Sequence, residues 1–136
     1  MQKLETLEQV REFFANDKYA TVSGARIEAV GDHYAKCSVK IEDMHRNAMG
    51  GVMGGIYFTL ADFTFAVASN WQEPGAVSLS ANIDFHSAAR GEYLIAEANC
   101  VKDGRSTCFY RVDIKDEKNN LLTTVSFTGY KVKYNA

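Results

Sequence analysis

Asp62 stands at the centre of the most apolar stretch of the chain, GGIYFTLADFTFAVASN, residues 54–70. A carboxylate in such surroundings is costly unless it is hydrogen-bonded or paired. Its neighbours Ile56, Tyr57, Phe58, Leu60, Phe63, Phe65 and Val67 offer no charge partner. Either Asp62 binds a backbone group or a strand residue and only fixes the fold, or it is kept for chemistry. Gly54 and Gly55 open the same stretch. The first N–H groups of a helix lack internal partners, and the macrodipole adds about half a positive charge, so a helix starting here polarises a carbonyl oxygen. The two glycines also allow a plain turn into the helix. Thr59, Asp62, Ala66 and Ser69 form a small-or-polar stripe at 3-4-3 spacing, suited to a cleft or to close packing of another element.

These residues need elements to position them. Seventeen residues without a breaker after Gly55 are long for a strand. A helix that is apolar nearly all round belongs in the interior. It is short for a membrane span and carries Asp62 at its middle, which argues against insertion. Leu4, Leu7, Val10, Phe13 and Phe14 make one helical stripe, and Thr6 with Gln9 suggests a capping box, so residues 6–16 read as a short amphipathic helix. Residues 19–30 and 33–42 read as strands around a Gly31-Asp32 turn, and 43–53 as a Gly- and Met-bearing loop. Beyond Pro74-Gly75, Val77, Leu79, Ala81, Ile83 and Phe85 alternate with Ser78, Ser80, Asn82, Asp84 and His86, the period of a strand. Strands are also expected at 91–102, 105–116 and 121–133, separated by Asp103-Gly104 and Lys118-Asn119-Asn120.

One apolar helix and about six strands suggest an α+β fold in which an antiparallel sheet wraps around the helix. With 136 residues, one proline and no linker, residues 1–136 read as one domain. Strands too few to close a barrel leave edges, and pairing edges across a two-fold axis protects them. A homodimer is the minimal expectation.

Composition narrows the chemistry. A net charge of −2 provides no basic excess for nucleic acid. The three cysteines, Cys37, Cys100 and Cys108, are scattered and form no C-x-x-C pair, which suits a reducing compartment. No basic n-region precedes an apolar run, so the expected location is cytoplasmic. His33 and His86 show no metal spacing, and neither a G-x-S-x-G elbow nor a P-loop occurs.

The run His45-Arg46-Asn47-Ala48-Met49-Gly50-Gly51-Val52-Met53-Gly54-Gly55, continuing to Leu60-Ala61-Asp62, resembles the signature of PaaI-like hotdog-fold acyl-CoA thioesterases. That signature is Asn, two residues, Gly, two residues, His-Gly-Gly, then Asp eight residues after the first of the glycine pair. Asn47, Gly50, Gly54, Gly55 and Asp62 match it. Ala76-Val77-Ser78 and Asp103-Gly104-Arg105 resemble the strand and turn that follow in the family, so the likeness runs from about residue 20 to 130. Met53 departs: it stands where the family usually has histidine, and a thioether packs against an acyl chain instead of donating a hydrogen bond.

The resemblance implies a hotdog fold and hydrolysis of acyl-CoA thioesters, with aryl-acetyl or short- to medium-chain acyl groups, to free acid and CoA. It implies Asp62 as general base or nucleophile, the Gly54 N–H on the thioester carbonyl, Asn47 positioning thioester or water, and Ser78 bonding Asp62 or the water. Asn and Gly would come from one subunit, Asp and Ser from the other. Met53, Gly55 and His45 are candidate substrate contacts, and Arg90 and Arg105, with Arg46 and Lys102, could meet the phosphates of coenzyme A. No cofactor or metal is expected beyond the coenzyme A of the substrate, nor a nucleic-acid or membrane partner, and dimers are expected to pair into tetramers. Two alternatives stand beside this: a hotdog enoyl hydratase or dehydratase using His45 with Asp62, and a non-catalytic acyl-CoA-binding module.

Overall fold

A computed structural model describes residues 3–132. The chain begins with α1 (Leu7–Phe14), capped as expected: the Gln9 N–H donates to Thr6 Oγ1 at 3.2 Å while Gln9 Oε1 accepts from the Thr6 N–H. Val10 and Phe14 bury its apolar stripe.

The expected first strand over 19–30 is only half strand. Residues 18–22 form α2 (Lys18–Val22), and β1 covers Arg26–Gly31. The run Tyr19-Ala20-Thr21-Val22 has strand-like composition, but its ends are those of a helix. Asp17 precedes it at the N-cap, and Gly24 follows it at φ +105°. There the Ala25 N–H returns to the Ala20 carbonyl and the Gly24 N–H to that of Thr21, a left-handed C-terminal closure for which glycine is suited.

β1 and β2 (Tyr34–Lys40) form a hairpin, and β2 buries Ala35, Cys37 and Val39 on one face. The following loop includes a 3-10 turn over Asp43–His45 and leads into α3 (Gly54–Asn70). Four strands complete the chain: β3 (Ala76–Phe85), β4 (Tyr93–Asp103), β5 (Thr107–Lys115) and β6 (Leu121–Lys131). The last expected strand reached residue 133, which lies outside the described residues.

The six strands form one antiparallel sheet in the order β1-β2-β4-β5-β6-β3. It wraps α3, whose Ile56, Tyr57, Leu60, Phe63, Phe65 and Val67 are buried against Leu94, Ala96, Val112, Ile114, Val125 and Phe127. Phe65 stacks on Phe127 with ring centroids 4.7 Å apart. This is the hotdog fold anticipated from the element order.

The two sheet edges differ. β1 has six residues, and its Ile27 carbonyl accepts from Arg11 Nε of α1 at 2.8 Å. β3 has ten residues, most of them exposed, including Val77 at 42% and Leu79 at 61%. Its alternation is also not clean. The register with β6 shifts between Ser78 and Ser80, so that Ser78 pairs with Gly129 while Ala81 pairs with Phe127 and Ile83 with Val125. Cross-strand partners share a face. Gly129, Phe127 and Val125 all face α3, so the bulge puts Ser78 on the helix side instead of the outer side.

Candidate active site

α3 was expected to be buried nearly all round, and one stripe corrects that. Gly55, Phe58 and Asp62 are exposed and Thr59, Ala66 and Ser69 only partly covered. This is the small-or-polar stripe read from the spacing, now seen to face outward from the chain. Asp62 is therefore not sealed among apolar side chains. It opens onto a groove of about 340 Å³ lined by Asp17, Tyr19, Phe58, Thr59, Phe63 and Ala66, with Lys18 and Ala20 completing the wall. The aromatic walls strip water from its carboxylate, and this desolvation, with the negative charge of Asp17 second, raises its pKa above the ordinary aspartate value. Among the described residues Asp62 has neither a hydrogen-bond donor nor a cation within pairing distance. The fold-fixing alternative required such a partner.

Among the described residues no group accepts from the first two N–H groups of α3. Met53 is the N-cap, extended at φ −64° and ψ 135°, and its side chain makes no capping bond. The N–H groups of Gly54 and Gly55 are thus left for another acceptor. The Met53 side chain lies along Gly55, where an added Cβ would stand 3.5 Å from Met53 Cε.

The preceding loop is held by its own residues. Asn47 Oδ1 accepts from the N–H groups of Met49 at 3.0 Å and Gly51 at 3.1 Å, and the Asn47 N–H donates to the Gly51 carbonyl at 2.7 Å. Gly50 sits in this turn at φ +88°. The oxygen of Asn47 is committed to the loop, and its amide Nδ2 remains as a donor.

His45 occupies a different place from the one its position suggested. It is 4% exposed, Nδ1 accepts from the Glu42 N–H at 2.9 Å, and Nε2 meets the Ser23 carbonyl at 2.6 Å. Both ring nitrogens are used, the proton lying on Nε2. The ring ties the end of α2 to the loop before α3 and has no atom left for a substrate or for proton transfer with Asp62, so the hydratase alternative loses its histidine.

Within one chain the remaining candidates fall into separate groups. Asn47, Met53, Gly54 and Gly55 gather at the N-terminal end of α3, where Phe85 of β3 also lies. Arg90 follows just beyond Phe85, exposed, its backbone N–H donating to Asp116. Asp62 is two helical turns further along. Ser78 lies near the other end of α3, where Asn70 Oδ1 accepts from Gly75 and Ala76. Arg105, in the β4–β5 turn beside Lys131, is at that far end too, so Arg90 and Arg105 do not converge in one chain.

Sequence reading missed Asp17, Tyr19 and Phe85. A signal existed for the first two: an aspartate and a glycine bracketing residues 18–23 mark a short helix. Phe85 gave none, since its contact with α3 is tertiary. Among the described residues no His, Cys, Asp or Glu group is arranged to hold a metal ion, and no helix is long and apolar enough to cross a membrane.

Comparison with known proteins places the chain in a family. The family model described as the thioesterase superfamily matches residues 49–123. A protein of Archaeoglobus fulgidus that bears a provisional esterase name is 36% identical over 96% of this chain and 86% of its own length. The acyl-coenzyme A thioesterase PaaI of Escherichia coli is 29% identical over 85% of this chain and 82% of its own. Among solved structures, a variant of the phenylacetic acid degradation protein PaaI from Thermus thermophilus superposes with a TM-score of 0.78 at 27% identity, covering 84% of this chain and 98% of that one.

Proposed function

Since the chain belongs to the thioesterase superfamily and is a PaaI-like hotdog thioester hydrolase, we propose that its substrates are acyl-CoA thioesters and that Asp62 attacks them across a subunit boundary. The observation that carries this is the unpartnered Asp62 carboxylate in an aromatic-walled groove. A carboxylate raised by desolvation is a better base than a solvated one, and its barrier to attack is lower for lack of water to shed.

The helix geometry argues for two chains. Asp62 is eight residues beyond Gly54, about 12 Å at 1.5 Å per residue, too far to reach a carbonyl carbon held on the Gly54 N–H of the same chain. The uncovered β3 edge, with Val77 and Leu79 exposed, supports two-fold pairing along that strand. Antiparallel pairing sets the Gly54 end of one protomer against the Ser78 and Arg105 end of its partner. Arg90 of one subunit and Arg105 of the other then flank one site, where they bind coenzyme A phosphates.

In this reading the Gly54 N–H donates to the thioester oxygen and stabilises the negative charge that attack places on it. Asn47 Nδ2 orients the thioester or the water. Asp62 takes a proton from water as it adds to the carbonyl carbon, or adds directly to form an anhydride that water opens. The C–S bond breaks, and the products are the free acid and the coenzyme A thiol. Ser78, turned to the helix side by the β3 bulge, donates to Asp62 or the water. Met53, Tyr19 and Phe58 give the acyl group apolar surface. Coenzyme A is part of the substrate, and no separate cofactor is required.

Thiol release over a panel of aryl-acetyl- and short- to medium-chain acyl-CoAs tests this. Wild type turns over at least one class, and Asp62→Asn loses nearly all of that turnover while remaining folded. Equal rates for the two proteins would end the proposal.

A further inference from the structure

We infer that Asp17 is a positioning residue for this reaction, its carboxylate sharing the Asp62 groove and acting on that base by charge repulsion. The inference rests on Asp62 being the base or nucleophile proposed above. Three observations support it. Asp17 of α2 and Asp62 of α3 line the same groove, although 45 positions separate them in the chain (62 − 17). Asp17 also occupies an N-cap, where aspartate ordinarily bonds a helix N–H, yet its side chain makes no capping bond. Its carboxylate is left to the groove. Third, neither acid has a salt-bridge partner among the described residues.

α2 is itself fixed. His45 holds the Ser23 carbonyl at its C-terminal end, and Ala20 is buried beneath it. The charge of Asp17 is therefore presented from a braced element. Other titratable groups facing the groove are Lys18 and Tyr19 of α2. Lys18 carries the opposite sign to Asp17, and Tyr19 adds an aromatic ring to the wall.

Like charges in a partly desolvated site disfavour joint ionisation. Desolvation and then Asp17 raise the pKa of Asp62, and desolvation raises that of Asp17. The consequence is a base with greater proton affinity than a solvated aspartate, obtained without burying it beyond the reach of substrate. Removing the Asp17 charge lowers the pKa of Asp62, which then ionises at lower pH but as a weaker base.

The test is the pH dependence of kcat/KM for thiol release in wild type, Asp17→Asn and Asp17→Ser, with Asp62→Asn alongside. Asparagine and serine both suit an N-cap, so α2 is retained. The acid limb moves to lower pH in both Asp17 variants. Added salt moves the wild-type limb in the same direction and moves the variants less. Carboxyl ¹³C titration without substrate, with the Asp62 signal identified by its loss in Asp62→Asn, reads the same shift independently of turnover. An acid limb and an Asp62 titration unchanged in Asp17→Asn overturn the inference. Activity retained in Asp62→Asn would instead overturn the reading beneath it.

Discussion

The ring of Phe85 covers Gly54: a Cβ built on that glycine would stand 3.2 Å from Phe85 Cζ. The helix start that carries the proposed carbonyl-binding N–H is thus kept small by a strand residue from across the fold. Position 54 is the first helical residue, where proline is tolerated, and Met53 before it has the extended backbone that proline requires. Gly54→Pro in a Phe85→Leu background, which relieves the crowding, therefore deletes the N–H while keeping the helix. We expect kcat to fall about 100- to 1000-fold relative to Phe85→Leu alone. Circular dichroism and steady-state kinetics on the pair check this.

The proposed two-chain site predicts complementation. Asp62→Asn and the Gly54→Pro protein are each nearly inactive, but a heterodimer of the two has one site with both groups intact. Random exchange makes half the dimers heterodimers with one working site of two, so about a quarter of full activity returns on co-refolding. Val77→Lys with Leu79→Lys on the β3 edge is expected to yield monomers without turnover, checked by sedimentation.

Asp62→Asn also carries a stability signature. The folded pKa of Asp62 lies above the unfolded value of 3.8, so its ionised form disfavours the folded state. That penalty is full above the folded pKa and vanishes below 3.8. Asp62→Asn thus melts higher than wild type at neutral pH, and the difference closes as pH falls. Thermal melts from pH 3 to 8 measure it.

His45→Ala removes a buried clamp. The Glu42 N–H and the Ser23 carbonyl lose their partners, and each orphaned group costs about 1–3 kcal/mol. Urea unfolding should show a loss of about 2–6 kcal/mol for the two groups together, while His45→Ala retains turnover wherever the protein is folded.

Asp116 has the opposite sign to Asp62. Desolvation pushes it up, but hydrogen bonds from Asn120, Arg90 and Lys118 outweigh that and hold it at about 2. Its folded pKa is lowered, so its stabilising effect is present above 3.8 and is lost as pH falls toward 2. Asp116→Asn should melt lower than wild type at neutral pH and approach it in acid.

Much of this was legible in the chain. The period of two in β2, the capping box at Thr6 and the breaker-free run from Gly54 to Asn70 each express local geometry, and local geometry is written in neighbouring residues. The Asn47 to Asp62 spacing pointed to the family for the same reason, being contained in one loop and one helix. His45 was misplaced because its Nε2 partner, the Ser23 carbonyl, is brought to it by how α2 packs, not by its neighbours in the motif.

What remained undetermined depended on contacts between distant segments. A helix apolar on every side does not declare which stripe stays open, and only the wrapped sheet leaves the Asp62 stripe uncovered. Alternation alone leaves Ser78 out of step with Ala81, Ile83 and Phe85, and only pairing with β6, through its bulge, turns Ser78 to their side. Asp17 met Asp62 because α2 folds beside α3. Periodicity reports the environment of one element, whereas an active groove arises where two elements meet.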